Sequence, residues 1–350
     1  MKKRNAVISF ALVMSLPLVG CSQSTTSQTE SGQETGNKPT ETPKEEKKIV
    51  LKLGHGTASS SLFHAGSVKF KELVEAKSNG QIQVNIYTDG QIGHDKDLID
   101  FMGNNNVQMG MIGVEPLMTL LPKLQVVGMP YIFPDRETAY KVLDGELGAE
   151  MVEALPAEHG VRVLSFFESG FRHVSNSKQA IELPEDLQGL KIRTPQNPVS
   201  LSIFKSFGSN PTPMSFGELF MALEQKTVDG QENPLALIYA SKFHEVQAHI
   251  ALTSHTYSPM ALAISEKQWS SLTPELQKVV QEAANEARDD ERKLSAEQEA
   301  DFVQKLETEG VKISKPDIAP FKEATKDVHK EFDDGYGADF YEKVMKATSD

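Results

Sequence analysis

Short apolar runs and amphipathic repeats alternate along the first half of the chain. The runs with the pattern of buried or half-buried strands are residues 49–53, 82–86, 107–112 and 161–166. The segments with apolar residues at helical spacing are 62–77, 95–102 and 138–155. Because strands and helices alternate, the pattern predicts an α/β protein with a largely parallel sheet.

A second series of the same kind begins after Gly170. Its predicted elements are a strand that ends at Arg193, helices over 201–207 and 216–223, and a strand over 257–264. Pro195 ends the first of these strands, since the residue before a proline is restricted to extended conformations. Two series of this size predict two domains in a chain of 350 residues.

One very long helix is predicted near the end of the body. Thr273 has the character of an N-cap, Pro274 occupies the first helical position, and no helix-breaking residue follows before Gly310. Such a helix is roughly 50 Å long at 1.5 Å per residue. We expect it to lie across both domains and to be exposed at its charged segment, residues 288–293. A dimerising coiled coil is the alternative, although the apolar positions do not sustain a heptad.

The composition is that of a globular protein with an acidic surface. The chain is 39% hydrophobic and 24% charged, with a formal net charge of -13. Because nucleic acids and anionic membranes attract clusters of Lys and Arg, this charge argues against nucleic acid as a partner and against docking on a lipid surface.

The first 48 residues differ from the body. Residues 1–20 predict a secretory signal peptide, with a basic start followed by an apolar segment. Leu18-Val19-Gly20-Cys21 resembles the lipobox of bacterial lipoproteins, so Cys21 is the candidate lipidation site; the alternative is an ordinary small residue of the apolar segment. Residues 21–48 contain no side chains that would form a core and predict a disordered tether. Cys21 is the single cysteine of the chain, so no intrachain disulfide can form.

Motifs for catalysis are missing from the sequence. It contains no nucleophile elbow, no phosphate-binding glycine loop and no His-Glu-x-x-His zinc pair. His244 and His249 are five residues apart, a spacing that does not direct both rings to one metal on a helix. We therefore expect a protein that is not an enzyme and has no catalytic residues, no metal and no cofactor.

Three motifs in the second half resemble a known family. They are Gly189-Leu190-Lys191-Ile192-Arg193, Pro211-Thr212-Pro213-Met214-Ser215-Phe216 and Val228-Asp229-Gly230-Gln231-Glu232-Asn233-Pro234. Together with the lipobox, their order and separation resemble the solute-binding subunits of tripartite ATP-independent periplasmic (TRAP) transporters. An arginine at a strand end is more often a surface residue, but a guanidinium offers the two parallel donors that a carboxylate needs.

The resemblance implies a two-domain clamp with hinge strands and one long helix bridging both domains. The expected division is 49–169 with 259–298 for domain I, and 170–258 with 299–350 for domain II. The expected function is extracytoplasmic capture of a small organic acid, a C4-dicarboxylate or a sugar acid, for TRAP membrane permease subunits. We expect a monomer attached to the membrane only through its lipid anchor. A receptor that presents its ligand to a sensor kinase or chemoreceptor is the alternative.

The resemblance also implies the site. Arg193 is expected to bind the ligand carboxylate, Arg172 to assist, Phe216 to form a wall and Asn233 to donate a hydrogen bond. The further candidates at predicted strand ends are His55, Asp95, Glu115 and Gln196. Glu115 lies about two positions away from the glutamate of sialic-acid-binding members, which argues against sialic acid as the ligand.

Overall fold

The structure is a computed structural model that describes residues 48–349. The predicted signal peptide, the lipidation site Cys21 and the tether up to residue 47 lie outside the described residues. The described residues belong to one compact unit. Among the described residues no helix has the length and apolar character needed to cross a membrane.

Eleven strands and thirteen α-helices occur between residues 48 and 349. The strands are β1 Ile49–Gly54, β2 Ile82–Tyr87, β3 Met109–Gly113, β4 Val161–Phe171, β5 His173–Asn176, β6 Lys191–Thr194, β7 Asn210–Pro213, β8 Gly230–Asn233, β9 His249–Ala251, β10 Tyr257–Ser265 and β11 Lys312–Ser314. The helices are α1 Leu62–Lys77, α2 Asp95–Gly103, α3 Arg136–Leu143, α4 Glu146–Val152, α5 Leu155–His159, α6 Pro198–Ser206, α7 Phe216–Glu224, α8 Leu235–Ala240, α9 Glu266–Ser271, α10 Pro274–Thr308, α11 Ala319–Thr325, α12 Asp333–Tyr336 and α13 Ala338–Ser349.

The strands form two sheets, as a two-domain clamp requires. The first sheet has the order β2-β1-β3-β10-β4, and the second has the order β11-β9-β5-β8-β6-β7. Both sheets are mixed rather than largely parallel, because β10 runs antiparallel to β3 and β4, and β5 runs antiparallel to β8 and β9. The predicted strand–helix alternation holds for the parallel strands alone.

The antiparallel strands are the ones that connect the sheets. β4 ends in the first sheet at Phe171, and β5 begins in the second sheet at His173. Gly170 has φ +114°, a conformation that a residue with a side chain rarely adopts, and it lies at this crossing. The chain returns to the first sheet between β9 and β10. These two crossings are the predicted hinge strands; the residue boundaries of the domains stay a prediction.

The long helix α10 spans both sheets, as predicted. It has 35 residues, Thr273 caps its first turn, and it contacts α1 and β4 beside the first sheet and α8 and β11 beside the second. Its charged segment differs from the prediction, because Glu291 is only 2% exposed and Arg292 only 7%. Glu291 accepts a hydrogen bond from the backbone N–H of Glu168 at 2.9 Å, and Arg292 bonds to Asp144 at 2.6 and 3.0 Å.

The helix predicted over 138–155 is three short helices, α3 to α5. Gly145 is the N-cap of α4, and Pro156 lies in the first turn of α5, so the chain restarts twice. A Cβ on Gly148 would lie 2.0 Å from the carbonyl oxygen of Leu143, which shows how closely α4 returns onto α3. Helix α6 begins at Pro198, three residues before the predicted start, because Asn197 caps it.

Candidate ligand-binding cleft

A cavity of about 330 Å³ lies between the two sheets. The side of the first sheet supplies the loop after β1, the start of α2 and the residues after β3. The second sheet supplies the ends of β6 and β8 and the segment between β7 and α7. These are carboxyl ends of parallel strands, where α/β proteins usually bind ligands. Its polar lining includes Thr57, His94, Asp95, Lys96, Glu115, Ser169, Arg172, Arg193, Gln196, Ser215, Asn233 and Ser258.

Arg193 is a buried cation without a neutralising partner. It is 3% exposed, and its Nε and Nη2 both donate to the carbonyl oxygen of Met214, at 3.0 and 2.7 Å. No carboxylate of the described residues forms an ion pair with it, and Nη1 has no protein acceptor there. Burial lowers the pKa of Arg193 to about 10, so it remains charged at neutral pH. Its free donors belong to the cavity wall.

Arg172 also reaches the wall, but its donors are directed to the protein. Its Nε bonds to Glu232, its Nη1 bonds to Glu115 at 2.9 Å, and its Nη2 bonds to Glu232 and to Asn233, each at 2.9 Å. Burial opposes its charge, yet Glu232 and Glu115 hold the pKa of Arg172 above its usual value. The second Nη1 N–H donates to Ser258 Oγ at 3.2 Å. Every N–H group of Arg172 therefore has an acceptor within the protein, and none is free to bind a ligand.

Glu232 is the carboxylate that neutralises Arg172. Burial alone would raise the pKa of Glu232, but Arg172 and a hydrogen bond with His255 lower it to about 2. His255 Nε2 lies 3.2 Å from Glu232 Oε2, and its Nδ1 lies 2.9 Å from Thr253 Oγ1. Sequence reasoning did not find this partner, because all four residues of β8 are buried and no alternation singles out Glu232.

Asn233 ends β8 at the cavity and retains one donor. Its Oδ1 accepts from Arg172, and its Nδ2 donates one N–H to Gln231 Oε1. Gln231 in turn donates to Ser175 Oγ at 2.7 Å. The amide is therefore held in one orientation, and the second N–H of Nδ2 has no acceptor among the described residues; Asn233 and Arg193 line the same cavity.

Asp95 and Glu115 meet across Gly113. Asp95 is the first residue of α2, and its Oδ2 accepts from the N–H of Gly113 at 3.3 Å. A Cβ on Gly113 would lie 2.8 Å from Glu115 Oε2 and 3.3 Å from Asp95 Oδ2. Burial and the neighbouring Glu115 raise the pKa of Asp95 to about 7. Two carboxyl groups thus share one corner of the cavity.

His55 lies behind the wall rather than in it. Its ring is fully buried, with Nδ1 3.1 Å from Thr57 Oγ1 and Nε2 3.2 Å from His64 Nδ1. Burial and His64 lower the pKa of His55 to about 4, so it is neutral at pH 7. Thr57, two residues later, is the residue that lines the cavity. The prediction placed the cavity at the correct strand end, but Thr57, the next residue on the same face as His55, is the one that lines it.

Phe216 and Gln196 both line the cavity. Phe216 begins α7 and contacts Phe243, with ring centroids 5.7 Å apart. Together with Phe63, Met214 and Leu237 it forms the apolar part of the wall. Gln196 follows β6 and is exposed at the rim.

Between residues 48 and 349 no three His, Cys, Asp or Glu side chains are arranged to hold a metal ion.

His94 contacts both sides of the cleft. Its ring lies in a slot between Gly56, Gly90 and Gly217, where Cβ atoms would approach it to 2.7, 2.6 and 2.3 Å. Gly217 lies in the first turn of α7 on the side of the second sheet, whereas the other two glycines belong to the first. The slot could not be predicted from the sequence, because the three glycines that form it are far apart in the chain.

Two α/β lobes, two hinge strands and a buried arginine facing the cleft define the class of extracytoplasmic solute-binding proteins. The sequence model of bacterial extracellular solute-binding protein family 7, DctP, matches residues 53–334. The chain belongs to this family, and the prediction of a TRAP solute-binding protein is confirmed.

Individual relatives agree with this membership. The 2,3-diketo-L-gulonate-binding periplasmic protein YiaO of Escherichia coli (strain K12) is 34% identical over 263 residues, 75% of this chain and 80% of YiaO. The sugar acid binding protein DctPAm from Advenella mimigardefordensis, solved in complex with galactonate, is 33% identical with a TM-score of 0.84, covering 87% of this chain and 98% of that one. A TRAP periplasmic solute binding protein from Polaromonas sp. JS666, bound to D-erythronate, is 34% identical with a TM-score of 0.83, covering 85% and 98%.

Proposed function

We propose that this protein captures a small organic acid, a C4-dicarboxylate or a sugar acid, through an ion pair between the ligand carboxylate and Arg193. The observation that carries the proposal is the unneutralised charge of Arg193 at the cavity wall. A buried cation without a partner is costly, and a ligand carboxylate removes that cost while forming two parallel hydrogen bonds. The free N–H of Asn233 supports the same carboxylate.

The energies are adequate for a transport protein. Charge-assisted hydrogen bonds contribute about 1.5–3 kcal/mol each. Micromolar affinity corresponds to about 8 kcal/mol. Two bonds to Arg193 and one to Asn233 thus supply a large share, and the apolar wall of Phe63 and Phe216 supplies part of the rest.

Binding works by closure of the clamp and involves no chemical reaction. Arg193 and Asn233 belong to the second sheet, whereas Thr57, Asp95 and Glu115 belong to the first. A ligand that contacts both sides stabilises the closed arrangement over the open one. We infer that the protein acts as a monomer without catalysis, and that Cys21 carries a lipid anchor.

Delivery to TRAP membrane permease subunits follows from the family. Presentation of the ligand to a sensor kinase or chemoreceptor is the second candidate, since it needs the same clamp. Membrane vesicles that contain the permease subunits distinguish the two: uptake of the acid that requires this protein supports transport.

The test of the carboxylate site is calorimetry with Arg193→Ala and Arg193→Lys. We expect Arg193→Ala to weaken binding of organic acids at least about tenfold, the loss of one charge-assisted bond. Arg193→Lys does not restore it, because an ammonium cannot offer two parallel donors. Arg162→Ala is the matched control, since Arg162 pairs with Glu266 at 2.7 and 2.9 Å away from the cleft. Unchanged affinity in Arg193→Ala would refute the proposal.

A further inference from the structure

We propose that the cleft selects acids with one carboxylate and several hydroxyl groups, because Thr57, Asp95 and Glu115 form a wall that accepts hydrogen bonds. The inference rests on the proposed function, since it takes the ligand carboxylate to lie against Arg193. The proposed function left two ligand classes open, a C4-dicarboxylate and a sugar acid, and this wall distinguishes between them. A sugar acid fits this wall, whereas an unsubstituted dicarboxylate does not.

Of the buried cations that line the described cleft, Arg193 alone has no carboxylate partner. Arg172 is already neutralised by Glu232, so its charge does not call for a ligand anion. Lys96 is the other cation of the lining, but it is exposed at the rim and lies between Asp95 and Asp97. An exposed ammonium contributes little to an ion pair. One carboxylate at Arg193 therefore satisfies the positive charge inside the cleft.

The hydroxyl of Thr57 can act there only as an acceptor. Ser61 Oγ donates its single proton to the carbonyl oxygen of Ala58 at 2.7 Å, so in its 2.8 Å bond with Thr57 it is the acceptor. The hydroxyl proton of Thr57 is thus donated to Ser61 Oγ, and Thr57 Oγ1 accepts from His55 Nδ1–H. Neutral His55 then accepts at Nε2 from His64. Any bond that Thr57 Oγ1 makes with a ligand must use a ligand proton.

Glu115 presents an acceptor as well. Its Oε1 accepts from Arg172 Nη1 at 2.9 Å and from Ser258 Oγ at 2.5 Å. No described residue donates to its Oε2, which lies beside Asp95 Oδ2 across Gly113. Once Asp95 is ionised, above its raised pKa of about 7, the two neighbouring carboxylates repel any further anion and attract hydroxyl protons.

A polyhydroxy monocarboxylate matches both sides at once. Its carboxylate receives N–H donors from Arg193 and Asn233, while its hydroxyl groups donate toward Thr57, Asp95 and Glu115. A second ligand carboxylate would place its acceptor oxygens against the acceptor oxygens of Thr57, Asp95 and Glu115. Its negative charge would also be repelled by the two carboxyl groups. A binding site built for hydroxyl donors rejects a ligand without them strongly, because its buried acceptors remain unpaired.

The test is calorimetry with two chain-length-matched sets of acids at pH 8, where Asp95 is ionised. The four-carbon set is butyrate, succinate and D-erythronate, and the six-carbon set is hexanoate, adipate and D-galactonate. We expect the hydroxylated acid of at least one set to bind at least about tenfold more tightly than the other two acids of that length. The inference is overturned if, in the set whose acids bind more tightly, the dicarboxylate binds as tightly as the hydroxylated acid.

Substitutions at Glu115 and Thr57 test whether these residues of the wall cause the preference for hydroxylated acids. In Glu115→Gln, Arg172 and Ser258 keep the amide oxygen, so the amide N–H₂ faces the cavity and supplies a donor. We expect the preference for the hydroxylated acid over the dicarboxylate to fall at least about tenfold. Glu232 still neutralises Arg172 in this variant. Thr57→Val weakens the hydroxylated acids alone, and Thr57→Ser restores them.

Asp100→Asn is the charge-matched control, since Asp100 is exposed on α2 and does not line the cavity. A preference unchanged in Glu115→Gln and Thr57→Val, or equally reduced in Asp100→Asn, contradicts the inference. In either case the loss of binding in Arg193→Ala would leave the proposed function intact. No binding of any of the six acids would overturn both.

Discussion

At the scale of single residues, two buried arginines of similar exposure have opposite electrostatic situations. Arg172 is paired with Glu232 and Glu115, whereas the one acceptor that Arg193 has among residues 48–349 is the carbonyl oxygen of Met214. The sequence motifs pointed to both arginines as ligand contacts. They could not tell which one is neutralised, because pairing depends on strands that are 60 residues apart in the chain.

The two arginines should therefore differ in their effect on folding. Without ligand, Arg172→Ala leaves the buried Glu232 without its cation and with only its hydrogen bond to His255, and removing one partner of a buried ion pair typically costs about 3–5 kcal/mol. Arg193→Ala removes an unneutralised buried cation, so the free energy of unfolding should stay constant or increase. Urea unfolding of the ligand-free variants measures the difference. A loss in Arg193→Ala as large as that in Arg172→Ala would contradict this assignment.

At the scale of elements, the apolar patterns predicted the strands and the long helix well. Periodicity identified β1, α1, α7 and α10 because each places apolar side chains at regular spacing in a buried core. It failed where polar residues are buried by specific partners, as on α10. There Glu291 and Arg292 bond to groups on β4 and beside α3, and a charged run alone does not reveal such partners.

The contact between β4 and α10 makes stability depend on pH. Glu168 is fully buried, and neither of its carboxyl oxygens accepts a hydrogen bond from the described residues. Burial raises the pKa of Glu168 to about 7, although Arg136 lies 3.8 Å away. The surrounding charged and titratable groups are Glu291, Glu299, Arg136, Arg292, Glu137 and Tyr257.

A raised carboxyl pKa stabilises the fold fully below about 4.5, and that contribution is lost as the pH rises through 7. Glu168→Gln should therefore be more stable than the unmodified protein at pH 8, by on the order of 1–3 kcal/mol, with little difference at pH 5. Thermal melting at both pH values measures it. Glu297→Gln, an exposed position on α10, is the control. A variant that is less stable at pH 8 would show that ionised Glu168 is well accommodated.

At the scale of the whole molecule, the clamp brings residues from distant segments to one cavity. The family resemblance indicated Arg193, Asn233 and Phe216, and their places at the cavity agree with that expectation. Thr57, Met214 and Ser258 were not foreseen, because nothing local marks a hydroxyl or carbonyl as part of a site. The contact of His94 with Gly217 likewise exists only once the two sides meet.

This contact predicts how closure can be blocked. A methyl group on Gly217 would lie 2.3 Å from His94 Nε2, and the ring cannot move aside because Gly56 and Gly90 enclose it. We expect Gly217→Ala to weaken binding of the tightest-binding acid of the six at least about tenfold, mainly through faster dissociation. The double variant Gly217→Ala/His94→Ala should recover most of the affinity. If the second substitution restores nothing, the cost of Gly217→Ala does not come from this contact.

The most direct test of the central claim is a crystal structure with the acid that binds most tightly among the six. We expect the ligand carboxylate on Arg193, with two N–H···O distances of about 2.7–2.9 Å and the hydroxyl groups toward Thr57 and Glu115. A carboxylate held elsewhere, for example at Lys96 with Arg193 still bonded to Met214 alone, would contradict it.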